Sequence, residues 1–385
     1  MNATVARAIP SDGAECARVL ADATRERHTV RISGAGTKSY IGDPVPTDIE
    51  LSTSRLVGVI DHVPADLTVT VAAGTPLADL RAALGRAGQF IALDPPHARE
   101  ATVGGVIAAN SNGFWRARHG GVRDLLIGTQ IALADGTVVR AGGRVVKNVA
   151  GYDLDKLLVG SFGTLGVILE ATFKVLPVPP AAQGIVARFG RATDAFIAAN
   201  ALVRGPARID ACVVARSEGP DWQLAIESRG SEPAVRRAMD DGRREVAARR
   251  GEARDLADEL DRFRELPARA VDGALVRVAL PLAAMSAFAD TAIGLETFSA
   301  FAGDVASGVA RVHVAGDDED VLRDAEALLL AAGMVGGAGR VERADHLRAR
   351  LATWPSRPSG DFLMRRIKDA FDPAGILEPG RAMFA

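Results

Sequence analysis

The 385-residue chain is poor in cysteine, with Cys16 and Cys212 far apart and no Cys-x-x-Cys spacing. That excludes a cysteine-bound iron–sulfur cluster within this chain and suits a reducing compartment. An excess of one charge is missing too: the formal net charge is -2 and the pI about 6.3. Without a basic surplus to neutralise a phosphate backbone, nucleic-acid binding is not expected. The longest apolar run, ALLLAAGMVGGAG at 327–339, is too short and too glycine-rich to span a bilayer. No basic segment followed by an apolar stretch opens the sequence, so no signal peptide is expected. The expected location is cytoplasmic, with any membrane association coming through partners. Lysine is scarce: only five of 46 basic residues. Three of these, Lys147, Lys156 and Lys174, fall close together, and a compact ammonium is not equivalent to a guanidinium near phosphate.

What remains is globular in character, with 48% hydrophobic and 24% charged residues. At ~150 residues per domain, the length suggests two or three domains. PVPPAAQ at 177–183 and PSRPSG at 355–360 read as linkers. The expected domains are therefore residues 1–177, 178–354 and a C-terminal segment, 355–385, returning to the first.

In the first block, TVRIS (29–33), DIELS (48–52), LVGVIDHV (56–63) and LTVTVAAG (67–74) read as strands. TPLADLRAALGRAG (75–88) reads as a helix with Thr75 as its N-cap. DLLIGTQIALADGTVVRAGG (124–143) is a hairpin turning at Asp135-Gly136. DLDKLLVG is a short helix, and LGVILEATFKVLP (165–177) is a long strand. In the second block, strands at 184–189, 208–215, 222–228, 272–280 and 308–314 alternate with helices at 231–251 and 318–333. This predicts an antiparallel sheet with helices on one side, and an α+β class overall.

Two glycine loops stand out. Ser33-Gly34-Ala35-Gly36-Thr37-Lys38 has the Gly-x-Gly of a dinucleotide fingerprint, but Ser39 replaces the third glycine and no helix pattern follows. A Rossmann site is disfavoured, and no Gly-Lys-[Ser/Thr] ends a loop, so a Walker P-loop is absent. Successive backbone N–H groups in such a turn can still hold a diphosphate. Thr102-Val103-Gly104-Gly105 is a second loop, entering a helix whose first-turn N–H groups are expected to be free.

SGAGTKSYIG, VAAGTPLADL, PPHAREATVGGVIAAN, GGVRDLLIGTQIALADG and KNVAGYDLDKLLVGSFGTLGVILEATFKVLP occur in that order. The series resembles the FAD-binding domain of vanillyl-alcohol-oxidase type flavoproteins. Within them it is most similar to the FAD-binding E subunits of bacterial glycolate oxidases. The tail FDPAGILEPGR (371–381) resembles the family's closing Asp-Pro-x-Gly-x-x-Asn-Pro-Gly-[Arg/Lys]. The resemblance covers about 170 residues of the first domain and the last 20 or so. It implies a two-lobed FAD-binding domain plus an antiparallel sheet-and-helix cap domain, with FAD bound non-covalently. Ser33, Gly34, Ala35, Gly36, Thr37 and Lys38 would cradle the diphosphate. Thr102, Gly104 and Gly105 would line the diphosphate and ribose. Asn110, Asn148, Gly151 and Tyr152 would lie along the flavin-side path, and Gly166, Val167 and Ile168 would meet adenine through strand backbone.

Catalytic 2-hydroxy-acid dehydrogenases of this family carry a histidine-rich site with an HAGDGNxH-like segment and a later EHGxG. Here ARVHVAGDD keeps His313 alone and EHGxG is absent, so no metal site is expected. The resemblance implies a flavin subunit of a glycolate oxidase. It would work beside a homologous catalytic flavin subunit and an iron–sulfur subunit, in oxidation of a small 2-hydroxy acid. The alternatives are a stand-alone dehydrogenase using Arg311, Arg340 and Arg381 to bind a carboxylate, and a scaffold that has lost its flavin. The arginines of ARRGEAR (248–254) and RADHLRAR (343–350) are candidates for a docking edge.

Overall fold

Glycine turns and short apolar strands build the first of two units, residues 1–112, 120–178 and 356–385; residues 113–119 and 179–355 form the second. The architecture comes from a computed structural model that describes residues 5–43, 45–143, 152–217, 219–355 and 359–382.

Unit 1 holds a parallel three-stranded sheet ordered Ala6–Ala8, Ile49–Ser52, Val30–Ser33. Beside it lies an antiparallel five-stranded sheet ordered Val59–Val63, Thr68–Ala72, Val167–Lys174, Leu126–Ala132, Val138–Gly142. The helix Gly13–Glu26 starts at Asp12, whose side chain accepts from the Glu15 N–H as an N-cap should. Its buried Cys16, Leu20 and Ala23 join Val30, Leu51, Val167 and Leu169 in one core. Ile168 joins Val69, Val71 and Phe173 in another, under the helices Leu77–Gly85 and Val103–Ala108. Thr75 is not the cap of the former helix. That position falls to Pro76, and the Thr75 hydroxyl accepts instead from the Gly58 N–H at 2.9 Å. DLDKLLVG forms only a 3-10 turn, Leu154–Leu157. There Lys156 pairs with Asp155 at 3.1 Å and donates to the Leu126 carbonyl, which makes it a structural lysine.

The chain returns to unit 1 through the helix Asp361–Phe371. Residues 376–378 then run along Val30, with the Val30 N–H donating to Ile376 O and the Glu378 N–H to Val30 O. A buried cluster fixes this return. Lys368 Nζ donates to Asp372 at 2.6 Å and to the carbonyls of Thr164 and Leu377 at 2.9 and 3.0 Å.

Unit 2 is an eight-stranded sheet ordered Glu252–Asp255, Ala181–Phe189, Trp222–Gly230, Ala211–Arg216, Phe298–Asp304, Val309–Val314, Ala274–Ala279, Ala338–Arg343, with every pairing antiparallel. Helices Ala192–Arg204, Glu232–Ala247, Met285–Ile293 and Asp318–Met334 contribute to the core on one face, centred on Phe196, Trp222 and Phe301. On the other face Phe114, Leu260, Phe263 and Leu266 form a smaller cluster. The short stretch 113–119 belongs to this unit because its side chains are tied there. Trp115 Nε1 donates to Glu227 at 2.7 Å, Arg229 lies 3.9 Å over the Trp115 ring, and His119 meets buried Asp210 at 2.7 Å.

Candidate cofactor cleft

The strand Val30–Ser33 ends where four residues, Gly34 to Thr37, turn without regular structure. Among the described residues the N–H groups of Gly34, Ala35, Gly36 and Thr37 donate no hydrogen bond. Consecutive donors left open at a turn form a concavity suited to an anion. The loop is nevertheless held firmly from behind. Lys38 is buried and donates to the Pro96 carbonyl at 2.8 Å, so its ammonium braces the loop from the side of Pro96. Arg381, from the C-terminal return, donates to the carbonyls of Lys38, Ser39 and Ile41. Those bonds, with Glu378 3.4 Å away, give Arg381 a bracing role and remove it as a carboxylate binder. Burial pushes the Glu378 carboxyl up, against the pull of Arg381.

The second loop packs directly against the first. A Cβ on Gly34 would stand 2.1 Å from Thr102 Oγ1, so glycine is required for this approach. Thr102 caps the helix Val103–Ala108, its hydroxyl accepting from the Gly105 N–H at 3.3 Å. The expectation that this helix offers free first-turn N–H groups is wrong. Val103 N–H donates to Thr75 O and Gly104 N–H to Ala73 O, and the cap takes the third. The helix start contributes shape, and the open donors lie on the first loop.

Together the two loops line a cleft of about 880 Å³. Ser33, Gly34, Ala35, Gly36, Thr37, Lys38, Thr102, Gly104, Gly105, Gly166 and Ile168 all lie on it. Three of the expected residues that the structure describes do not gather there. Val167 turns into the core beside Leu169. Asn110 is exposed and accepts from Asn112, and Tyr152 is 90% exposed. Lys147, Asn148 and Gly151 fall outside the described residues. Sequence reasoning missed Arg31, Thr53, Ala73 and Phe162, which also line the cleft. Only the Gly-Ser-Phe-Gly spacing around Phe162 hinted at this, since Arg31 and Thr53 come from ordinary strand ends.

The arrangement fits a flavin dinucleotide. It offers one open row of N–H donors for a diphosphate, a braced loop, and a wall of mostly small residues that also carries Arg31 and Arg381. When bound, FAD supplies an acceptor for an electron pair. The described residues on the cleft include no histidine or cysteine that could form a covalent flavin link. Acid precipitation of the purified protein is therefore expected to release the yellow chromophore into the supernatant. Colour retained in the pellet would refute non-covalent binding.

Comparisons with known proteins agree with this geometry. Residues 5–142 match the family model described as FAD binding domain, and residues 358–382 match that of the FAD linked oxidases, C-terminal domain. The chain is similar to glycolate oxidase subunit GlcE of Escherichia coli strain K12, at 44% identity over 40% of this chain and 44% of that one. It is similar to glycolate oxidase subunit GlcD of Bacillus subtilis, at 34% identity over 47% and 38%. It also resembles a D-lactate dehydrogenase of Archaeoglobus fulgidus, at 39% identity over 44% and 38%. The matches thus span less than half the length of these relatives. Among solved structures, an alkyldihydroxyacetonephosphate synthase superposes with a TM-score of 0.73 at 16% identity, covering 96% of this chain and 76% of that one. A chitooligosaccharide oxidase does so with 0.70 at 14%, covering 98% and 91%. These last two speak for the fold.

Proposed function

We propose that this chain, which is similar to FAD-linked oxidoreductases and holds FAD as its cofactor, is a flavin-bearing subunit of a glycolate oxidase. In this reading it supports oxidation of glycolate or a related 2-hydroxy acid to the 2-oxo acid, and passes electrons through its flavin. A homologous catalytic flavin subunit and an iron–sulfur subunit complete the complex. The relatives named as glycolate oxidase subunits support the assembly.

One observation carries the division of labour. A base that takes a proton near the substrate's α-carbon needs an accessible lone pair and a pKa in the histidine range. Unit 2 has three histidines, and each is held by a neighbour. His119 is buried against Asp210, and His346 sits at the surface 3.0 Å from Asp318. His313 meets Ser299 Oγ at 3.1 Å through Nδ1 and the Asp272 carbonyl at 2.5 Å through Nε2. Burial pushes the His313 imidazole below its usual range, with the Asp272 carbonyl acting the other way, so it is neutral at pH 7. Its Nε2 must carry the proton donated to Asp272, and its remaining lone pair faces the Ser299 hydroxyl.

No membrane span enters this reading, since among the described residues no helix is long and apolar enough to cross a bilayer. The arginine stretches suggested as docking edges are weaker candidates than their sequence implied. Arg249 pairs with Glu245, Arg254 with Glu259, Arg343 with Asp345 and Arg350 with Glu319, while Arg348 is buried against Thr353.

The test is turnover with an artificial electron acceptor. The isolated, FAD-loaded chain is expected to oxidise glycolate and D-lactate at no significant rate, and activity should appear on adding the partner subunits. Turnover by the lone chain near ~10 per second, an ordinary enzyme rate, would favour the stand-alone dehydrogenase. A chain that takes up no flavin would leave the scaffold reading.

A further inference from the structure

The sheet of unit 2 turns one face to its four helices. On the opposite face, three neighbouring strands bring arginines into one row. Arg277 stands directly across from Arg311 on one side and from Arg340 on the other. Like charges placed opposite each other on a sheet are destabilising, so such a row needs a compensating anion.

The protein supplies one. Glu342 accepts from Arg311 Nε at 2.7 Å and Nη2 at 3.4 Å, and lies 3.7 Å from Arg340. Burial opposes its ionisation, yet Arg311 and Arg340 hold its carboxyl down at about 2, so it is charged at neutral pH. Arg340 also lies 5.1 Å over the Trp354 ring. Arg311 and Arg340, the sequence candidates for a carboxylate, are therefore occupied by the protein itself.

Arg277 is different. Its guanidinium makes no hydrogen bond or ion pair among the described residues, although its neighbours are charged. Burial pushes it down to about 10, and Arg311 and then Arg340 and Arg116 add to the push, with only Glu342 opposing. Four arginines thus face one carboxylate. The residue is only half-buried, so a small molecule can reach it.

We propose that Arg277 receives the carboxylate of a small monocarboxylic acid on this face of the unit 2 sheet. A guanidinium presents a planar pair of donors that matches a carboxylate two-for-two. With Arg311 and Arg340 engaged by Glu342, one unpartnered guanidinium is left, which matches a monoanion better than a phosphate dianion. The biological sense of the site rests on the reading of the chain as part of a hydroxy-acid oxidase. Its test does not need turnover.

The experiment uses the full-length, FAD-loaded protein at constant ionic strength, titrated separately with acetate, glycolate and phosphate by calorimetry. Acetate has no hydroxyl to oxidise, so its binding is independent of any redox step. Saturable binding of both acids is expected, with phosphate weaker. Arg277→Gln should weaken both acids at least about tenfold, the scale of one lost charged hydrogen-bonded contact, and Arg277→Lys should restore part of the loss. Flavin content of both variants should match the parent, which separates loss of the site from loss of the fold. Equal affinity in Arg277→Gln, no saturable binding of either acid, or tighter binding of phosphate would each overturn the proposal. Arg277-dependent acetate binding in a protein whose complex fails to oxidise glycolate would refute the functional reading and leave this site standing.

Discussion

Gly36→Asp protein is expected to purify colourless. Gly36 has φ +69, a left-handed conformation that aspartate tolerates better than most residues, so the effect of this change comes from its charge. Beyond its chain neighbours no atom lies within 4 Å of the Cβ it would gain, so the new side chain has room to stand in the cleft. It would stand at the row of open N–H groups where a diphosphate is expected, and like charges so placed cost several kcal/mol. At 1.4 kcal/mol per factor of ten, that repulsion weakens FAD by roughly a hundredfold or more. Gly34→Ala tests the same cleft by shape alone, because its methyl collides with the Thr102 hydroxyl and pries the two loops apart. Flavin absorbance per mole of protein reads both variants. Full occupancy in Gly36→Asp would show that the diphosphate lies elsewhere.

This cleft was largely legible in the sequence because its key residues are local. Ser33 to Lys38 form one loop and Thr102 to Gly105 another, and each glycine cluster marks a close backbone approach wherever the fold places it. What the sequence could not disclose was which donors remain free. The N–H groups of Val103 and Gly104 look available in a helix start, but carbonyls at Thr75 and Ala73 claim them, and those are contacts across the fold. Arg381 was misread for the same reason: its distance in sequence from Lys38 hides its role as a brace. In unit 2 three strands are absent from the sequence reading, Glu252–Asp255 and Ala338–Arg343 at the two edges of the sheet and Phe298–Asp304 at its centre. The first reads EARD with every residue exposed, so no hydrophobic alternation advertises it. The helix Ala192–Arg204 was missed because its buried face is mostly alanine, a weak periodic signal.

Asp372→Ala is expected to destabilise unit 1 more than any other single change outside the cleft. The carboxylate is fully buried and does three tasks at once. It pairs with Lys368 at 2.6 Å, and it accepts from the N–H groups of Ile376 and Leu377 at 3.1 and 2.8 Å. Removing it leaves a buried ammonium with only carbonyl partners and two buried N–H groups without an acceptor. Breaking one side of a buried ion pair costs about 3–5 kcal/mol. The double variant Lys368→Met/Asp372→Ala removes the stranded charge and is expected to recover part of that loss, since buried pairs replaced by apolar groups are often near neutral. The loss should also reach the cofactor. The return segment that Asp372 anchors runs along Val30, and Arg381 at its end braces the loop from Lys38 to Ile41. In a denaturant titration followed by both flavin fluorescence and far-ultraviolet dichroism, the flavin of Asp372→Ala should leave before the bulk of the structure unfolds. A variant that keeps its unfolding midpoint and holds flavin as tightly as the parent would show that neither the pair nor the return segment supports the cleft.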